Sequence, residues 1–214
     1  MALMARFRGL LSRFGKNRLK NRDFTIISSS CWGAEAYRQF GIPYLTPFVG
    51  LFLLGPCYLR LLGDLKRYLS GDISFIDTSK YEAVNKGYRK TKRYPLGLLG
   101  GDVEIQFMHY STARDAREKW KRRVGRINWD NIFVEFSERD MCDIRLIEQF
   151  DRMPFDRKVC FTARQYSQFK STIWIEESRN DAVVPSGRKL YKVCRKYFNI
   201  VDWLNGGDGR VDIL

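Results

Sequence analysis

The chain has 214 residues, 38 of them Lys or Arg against 24 Asp or Glu, for a formal net charge of +14. With 44% hydrophobic residues, five Trp, eleven Tyr and fifteen Phe, it is too apolar and too aromatic for a disordered basic tail, so it must bury a core. The length suits one α/β domain, and no spacing recurs that would mark collagen, a coiled coil or a repeat array.

The charge is uneven along the chain. Residues 1–22 hold seven cations and no acid, half of the net excess. Leu3, Phe7, Leu10, Leu11 and Phe14 fall on one stripe of a 3.6-residue helix. This predicts a basic amphipathic leader over 1–16, followed by a single α/β domain over 17–214. Such a leader packs on the body, frays as a terminus, or lies on a membrane or partner surface through residues 3–14. Arginines interrupt every candidate apolar run, which excludes a secretory signal. The uncharged stretch 39–59 is cut by Pro43, Pro47, Pro56, Gly41, Gly50 and Gly55, so it reads as buried turns rather than a membrane span.

The body then alternates. Residues 23–28 predict a buried strand closed by serines, and Cys31-Trp32-Gly33 opens a helix. Pro56 starts another helix with Tyr58, Leu62, Leu65 and Leu69 on one face. Residues 73–76 read as a strand, and 80–99 as a basic loop around a short helix. A strand over 103–109 and a helix from Ser111 to about Arg126 follow. Next come a strand over 131–136 and a helix over 139–150 with Met141, Ile144, Ile147 and Phe150 inward. Strands at 158–162 and 172–175 precede a last helix from Gly187 to Phe198. Alternation of this kind implies an α/β fold in three layers, a mainly parallel sheet with helices on both faces.

Cys31, Cys57, Cys142, Cys160 and Cys194 are odd in number and far apart, and His109 is the single histidine. No metal is expected from ligands so spaced, and free thiols in a reducing compartment are the natural reading. Cys31, at a helix start, and His109, at a predicted strand end, could share a crevice beyond the strand ends. A helix N-terminus lowers a thiol pKa, and an imidazole can take a proton from a thiol or a sugar hydroxyl. Asp140 could orient His109 or hold sugar hydroxyls; otherwise it is a helix N-terminal charge. Ser28, Ser29, Ser30, Trp32 and Gly33 form a turn suited to an anion, with ordinary helix capping as the alternative. Tyr110 stands beside the histidine. The basic run over 114–126 lacks any accompanying nucleic-acid motif, which disfavours a nucleic-acid partner.

The stretches KNRLKNRDFTIISSSCWGAEAY, PFVGLFLLGPCYLRLLGDLKRYL and FMHYSTARDAREKWKRRVGRINWDNIFVEF, with RKVCFTAR later, resemble a bacterial family known as a domain of unknown function. Its members carry labels of exopolysaccharide or capsular polysaccharide biosynthesis, and sometimes of acetyltransferase. The resemblance covers about residues 17–200 and leaves the leader outside. Ser30 stands where typical members have asparagine. The resemblance implies a cytoplasmic α/β domain working in surface-polysaccharide assembly; with the basic leader, the expectation is a protein peripheral to the inner face of the cell membrane, acting on a saccharide or lipid-linked saccharide. The resemblance itself supplies no reaction; the candidate residues and these labels together lead to the expectation of acyl transfer, with a donor such as acetyl-CoA. His109 would be the base, Cys31 a nucleophile or neighbour, and the 28–33 turn an anion site. The alternative is a non-catalytic module that binds a glycan or partner at the membrane surface.

Overall fold

The structure is a computed structural model that describes residues 18–91 and 93–211; the leader expected over 1–16 lies outside them. In chain order its elements are β1 (Thr25–Ser28), α1 (Trp32–Phe40), α2 (Gly55–Gly63), α3 (Leu65–Ser70), β2 (Ile73–Ile76), β3 (Leu96–Leu99) and β4 (Val103–Gln106). They continue as α4 (Ala113–Val124), β5 (Ile132–Ser137), α5 (Ile144–Arg152), β6 (Lys158–Thr162), β7 (Thr172–Trp174), α6 (Gly187–Val193) and α7 (Ile200–Leu204).

The central sheet is parallel, in the order β1-β5-β6-β7, with Ile26 opposite Phe133 and Phe136 opposite Cys160. Both of its faces are covered, as parallel strands require. Phe24, Ile26, Phe133 and Phe161 point into a core with Trp32, Leu190 and Trp203, brought by α1, α6 and α7. Ile27, Val134, Phe136 and Cys160 point the other way, against Tyr58, Trp120 and Phe150 from α2, α4 and α5. The three-layer α/β expectation holds.

The strands at 73–76 and 103–106 belong elsewhere. They flank β3 in a separate antiparallel sheet, β2-β3-β4, with Ile73 opposite Leu99 and Leu99 opposite Val103. β3 sits inside the segment expected to be a basic loop. Its Gly97 is required by packing, because a Cβ there would come within 2.6 Å of both Ile73 and Phe107.

Three helices differ from expectation. The run after Pro56 breaks at Asp64, whose carboxylate accepts from Arg67 N and starts α3 anew. The helix expected at 139–150 begins only at Ile144, capped by Asp143, so Met141 and Ile144 are 50% and 48% exposed rather than inward. The last helix tightens into a 3-10 turn at Cys194–Lys196, and α7 follows it. Among the described residues no helix is long and apolar enough to cross a membrane.

Candidate functional site

Strand polarity gathers the carboxyl ends of β1, β5, β6 and β7 at one edge, the usual place for a ligand crevice in an open parallel sheet. β1 leads into Ser28-Ser29-Ser30, all buried. Ser30 Oγ accepts from Trp32 N and Ser28 Oγ from Gly33 N, each at 3.3 Å. The serines therefore satisfy the first amides of α1 themselves. This leaves less of the expected anion site than the sequence suggested. Trp32 is fully buried, its ring 5.3–6.3 Å from Phe161, Tyr191, Phe198 and Trp203. A Cβ on Gly33 would approach Ile26 to 2.8 Å, so this glycine lets α1 lie close on β1. Of the turn residues predicted to bind a ligand, Ser30 lines a cavity, beside Cys31.

His109 reaches the same edge by an unexpected route. Its strand, β4, ends at Gln106 in the antiparallel sheet, and a tight turn carries the chain on, with Tyr110 N bonded to Phe107 O at 3.1 Å. His109 N then donates to Gly50 O at 3.0 Å. Gly50 has φ +73, and a Cβ on it would meet His109 and Tyr110 at 3.2 Å. The imidazole is exposed, and among the described residues it holds no hydrogen bond. Tyr110 is buried; its hydroxyl donates to Val49 O and accepts from Arg123 Nη1, each at 2.6 Å. Burial pushes this phenol up, against the pull of Arg123.

Asp140 follows β5 in a left-handed conformation, φ 50, and Met141 repeats it at φ 65. Two successive non-glycine residues in this region store strain, a feature concentrated at functional sites. The carboxylate pairs with Arg139 at 2.8 Å, the two side chains 7% and 19% exposed. Arg139 also donates to Val184 O at 2.9 Å. Gly187 completes the wall: a Cβ there would come within 2.8 Å of Trp32 N, so the start of α6 abuts the start of α1.

Cys31, His109 and Asp140, from three distant segments, thus line one cavity of about 310 Å³ with Ser30, Arg139 and Arg188. A second cavity of about 340 Å³ shares Cys31, His109 and Arg188 and adds Tyr110, Lys119 and Arg123. Both fall within the usual size range of small-molecule sites. The thiol expectation is reversed in direction: burial pushes the Cys31 pKa above its ordinary value, and its Sγ rests 3.7 Å from Leu51 O. Cys31 lines the wall of the cleft, with its thiol held above the ordinary range by burial.

Sequence reading missed Arg38, Arg139 and Arg188 in the cleft, and Glu135 behind it. Arg139 had a signal, since it directly precedes Asp140 at a strand end. Glu135 had none, because it sits within a strand as any edge-facing charge would. It is fully buried and accepts from Ser28 Oγ and Ser137 Oγ at 2.5 Å each. Burial raises its carboxyl from the ordinary 4.5 to about 7, against the pull of the two serines. The acidic pair Asp102 and Glu104 forms no joint site. Asp102 holds Tyr68 and Arg60, whereas Glu104 is buried against Ser79 and Lys80 N.

A family model described as a domain of unknown function, DUF1919, matches residues 3–205. The chain belongs to this family. The DUF1919 match begins near the first residue, so the basic leader lies within the family's span, not outside it as expected. The DUF1919 chain is 33% identical over 212 residues to an uncharacterized protein of Haemophilus influenzae, covering 95% of each. It is also 22% identical over 173 residues to the modification methylase LlaI of Lactococcus lactis, across 76% of this chain and 27% of that protein.

Proposed function

We propose that this DUF1919 chain is a protein of surface polysaccharide biosynthesis that transfers an acyl group, acetyl in the simplest case, to a saccharide hydroxyl in this cleft. The observation that carries the reading is the convergence of an exposed imidazole, a paired carboxylate and two adjoining cavities on the carboxyl edge of a parallel sheet. His109 would take the proton of the sugar hydroxyl as its oxygen bonds to the acyl carbon. The thioester C–S bond of a donor such as acetyl-CoA then breaks, and the leaving thiolate takes up a proton. Asp140 and Arg139 would hold neighbouring hydroxyls. Cys31 shapes the wall, and the raised thiol pKa argues against a thiolate nucleophile. We place this activity in the cytoplasm, at the inner face of the membrane, with a saccharide or lipid-linked saccharide as the acceptor.

One observation favours a second reading, a non-catalytic glycan-binding module. Among the described residues no hydrogen bond holds the His109 ring, whereas general bases are usually held by a partner. Transfer of labelled acetyl from acetyl-CoA to surface polysaccharide, assayed with wild type and His109→Ala, separates the two. An enzyme loses turnover in the variant while keeping saccharide affinity. Equal product from both proteins, or none from wild type, sinks the enzyme reading.

A further inference from the structure

The lobe beside Tyr110 carries more positive charge than its own carboxylates neutralise. Arg38, Lys119, Arg123 and Arg188 line it, and among its described lining residues Glu35 is the sole acid. Arg38 and Arg188 share that carboxylate, at 2.5 and 3.7 Å. Lys119 pairs with Asp115, one turn back on α4 and outside the lobe, at 2.9 Å. Arg123 differs from the rest. Among the described residues it has no carboxylate partner; it donates to the Tyr110 hydroxyl and lies 5.4 Å over the Tyr44 ring. Because the Tyr110 hydroxyl already donates to Val49 O, its lone pair is fixed toward Arg123. The guanidinium is therefore set in place by neutral groups and keeps its charge for something else.

These cations come from α1, α4 and the start of α6, so they are not one solvated helix face. Converging charges in a concave site focus the field and attract an anion. A guanidinium fork matches two oxygens of a phosphate, which an ammonium cannot do.

Resting on the reading that the cleft takes a saccharide, we infer that this lobe seats the phosphate or diphosphate of a phosphate-linked saccharide. Arg123 is the fixed fork and the exposed Arg38 and Arg188 close on the outer oxygens. The sugar then extends past His109 into the neighbouring lobe, which shares Cys31, His109 and Arg188.

The test is titration of inorganic pyrophosphate into the full chain at low salt, followed by calorimetry and phosphorus NMR. Wild type should bind, and Arg123→Ala should bind about ten- to a hundredfold more weakly, as expected for a lost charge-assisted bond. Arg123→Lys should recover only part of the loss. Arg188→Ala, at an exposed helix start, gives a second weakened variant if the first is unstable by circular dichroism. Arg122→Ala, an exposed cation outside the lobe, should bind as wild type does. No binding by wild type, or equal affinity in Arg123→Ala, overturns the inference, as does an equal loss in Arg122→Ala. UDP-glucose in solution and a polyprenyl-diphosphate sugar in micelles distinguish the two sources. Tighter binding of either than of pyrophosphate supports the assignment, and tighter binding of neither overturns it. Absence of acetyl transfer with anion binding intact would sink only the proposed reaction. Transfer whose KM is unmoved by Arg123→Ala would sink only this seat.

Discussion

Ser28 Oγ donates to Glu135 Oε2 at 2.5 Å in the middle of the parallel sheet, and the same hydroxyl accepts from Gly33 N at the start of α1. A buried carboxyl is thereby tied, through one serine, to the amino end of the helix that forms the cleft wall. Its folded-state pKa is raised from 4.5 to about 7 by burial. Between those values the folded chain holds a proton that the unfolded chain has lost. Stability therefore falls as pH rises through this window and levels off above it. The window corresponds to about 3 kcal/mol. Urea unfolding at pH 5 and pH 8 should show the wild type losing stability that Glu135→Gln keeps. Parallel pH profiles for the two proteins would refute the linkage.

The Cys31 thiol gives a separate test. Since burial raises its pKa above 9.0, its alkylation by iodoacetamide, followed on its own peptide by mass spectrometry, should still be accelerating at pH 9. Cys31→Ser should leave acetyl transfer within a few-fold of wild type. A rate plateau near neutrality, or loss of transfer by about a thousandfold in that variant, would restore the nucleophile role.

Trp32 was expected at a binding turn and lies instead at the centre of an aromatic cluster. Trp32→Ala should cost about 3–5 kcal/mol by denaturant titration, the range for an emptied aromatic site. Affinity per folded molecule for pyrophosphate should not change. A stable variant that had lost only binding would return Trp32 to the site.

The parallel sheet was legible because its strands are short and largely apolar, and helical patterns follow β1 and β5. What the sequence hid is where geometry is set by distant partners. β3 lies between basic residues and carries Gly97, whose absent side chain makes room for Ile73 and Phe107, atoms no local pattern reveals. The start of α5 is set by Asp143 after two left-handed residues, so Ile147 and Phe150 point inward as expected whereas Met141 precedes the helix and Ile144 is exposed in its first turn. His109 was assigned to the crevice from a strand-end argument, yet its strand is antiparallel, and the Gly50 carbonyl brings it there. The cationic lobe draws on Arg38, Arg123 and Arg188, 65 or more positions apart in sequence, and charge patterning along one helix could not join them.

Gly187 fixes the junction between α1 and α6 that closes the cleft. An added methyl would sit 2.8 Å from Trp32 N and 3.0 Å from Cys31 N, both backbone atoms held by the core. Gly187→Ala should therefore force the two helix starts apart, at about 1–3 kcal/mol by urea unfolding. Pyrophosphate affinity should drop as well, since Arg188 moves with the helix. A variant as stable as wild type would show that α6 is free to shift.

Truncation tests the basic leader expected over 1–16. The described chain is anchored from its first residues: Asn205 accepts from Lys20 N at 2.8 Å and donates to Arg18 O at 2.9 Å, and Leu19 is buried. Removing residues 1–16 stops short of these contacts, so the midpoint of thermal unfolding should not move. Residues 3–14 carry the Leu and Phe stripe with Arg6, Arg8 and Arg13, and a membrane role for them predicts binding to anionic vesicles that salt weakens. Flotation with phosphatidylglycerol vesicles should bring up the full chain and leave the truncated one behind. A truncated protein that still floats would move the membrane contact to the body. A truncated protein that unfolds at a lower temperature would show that the leader packs on the domain.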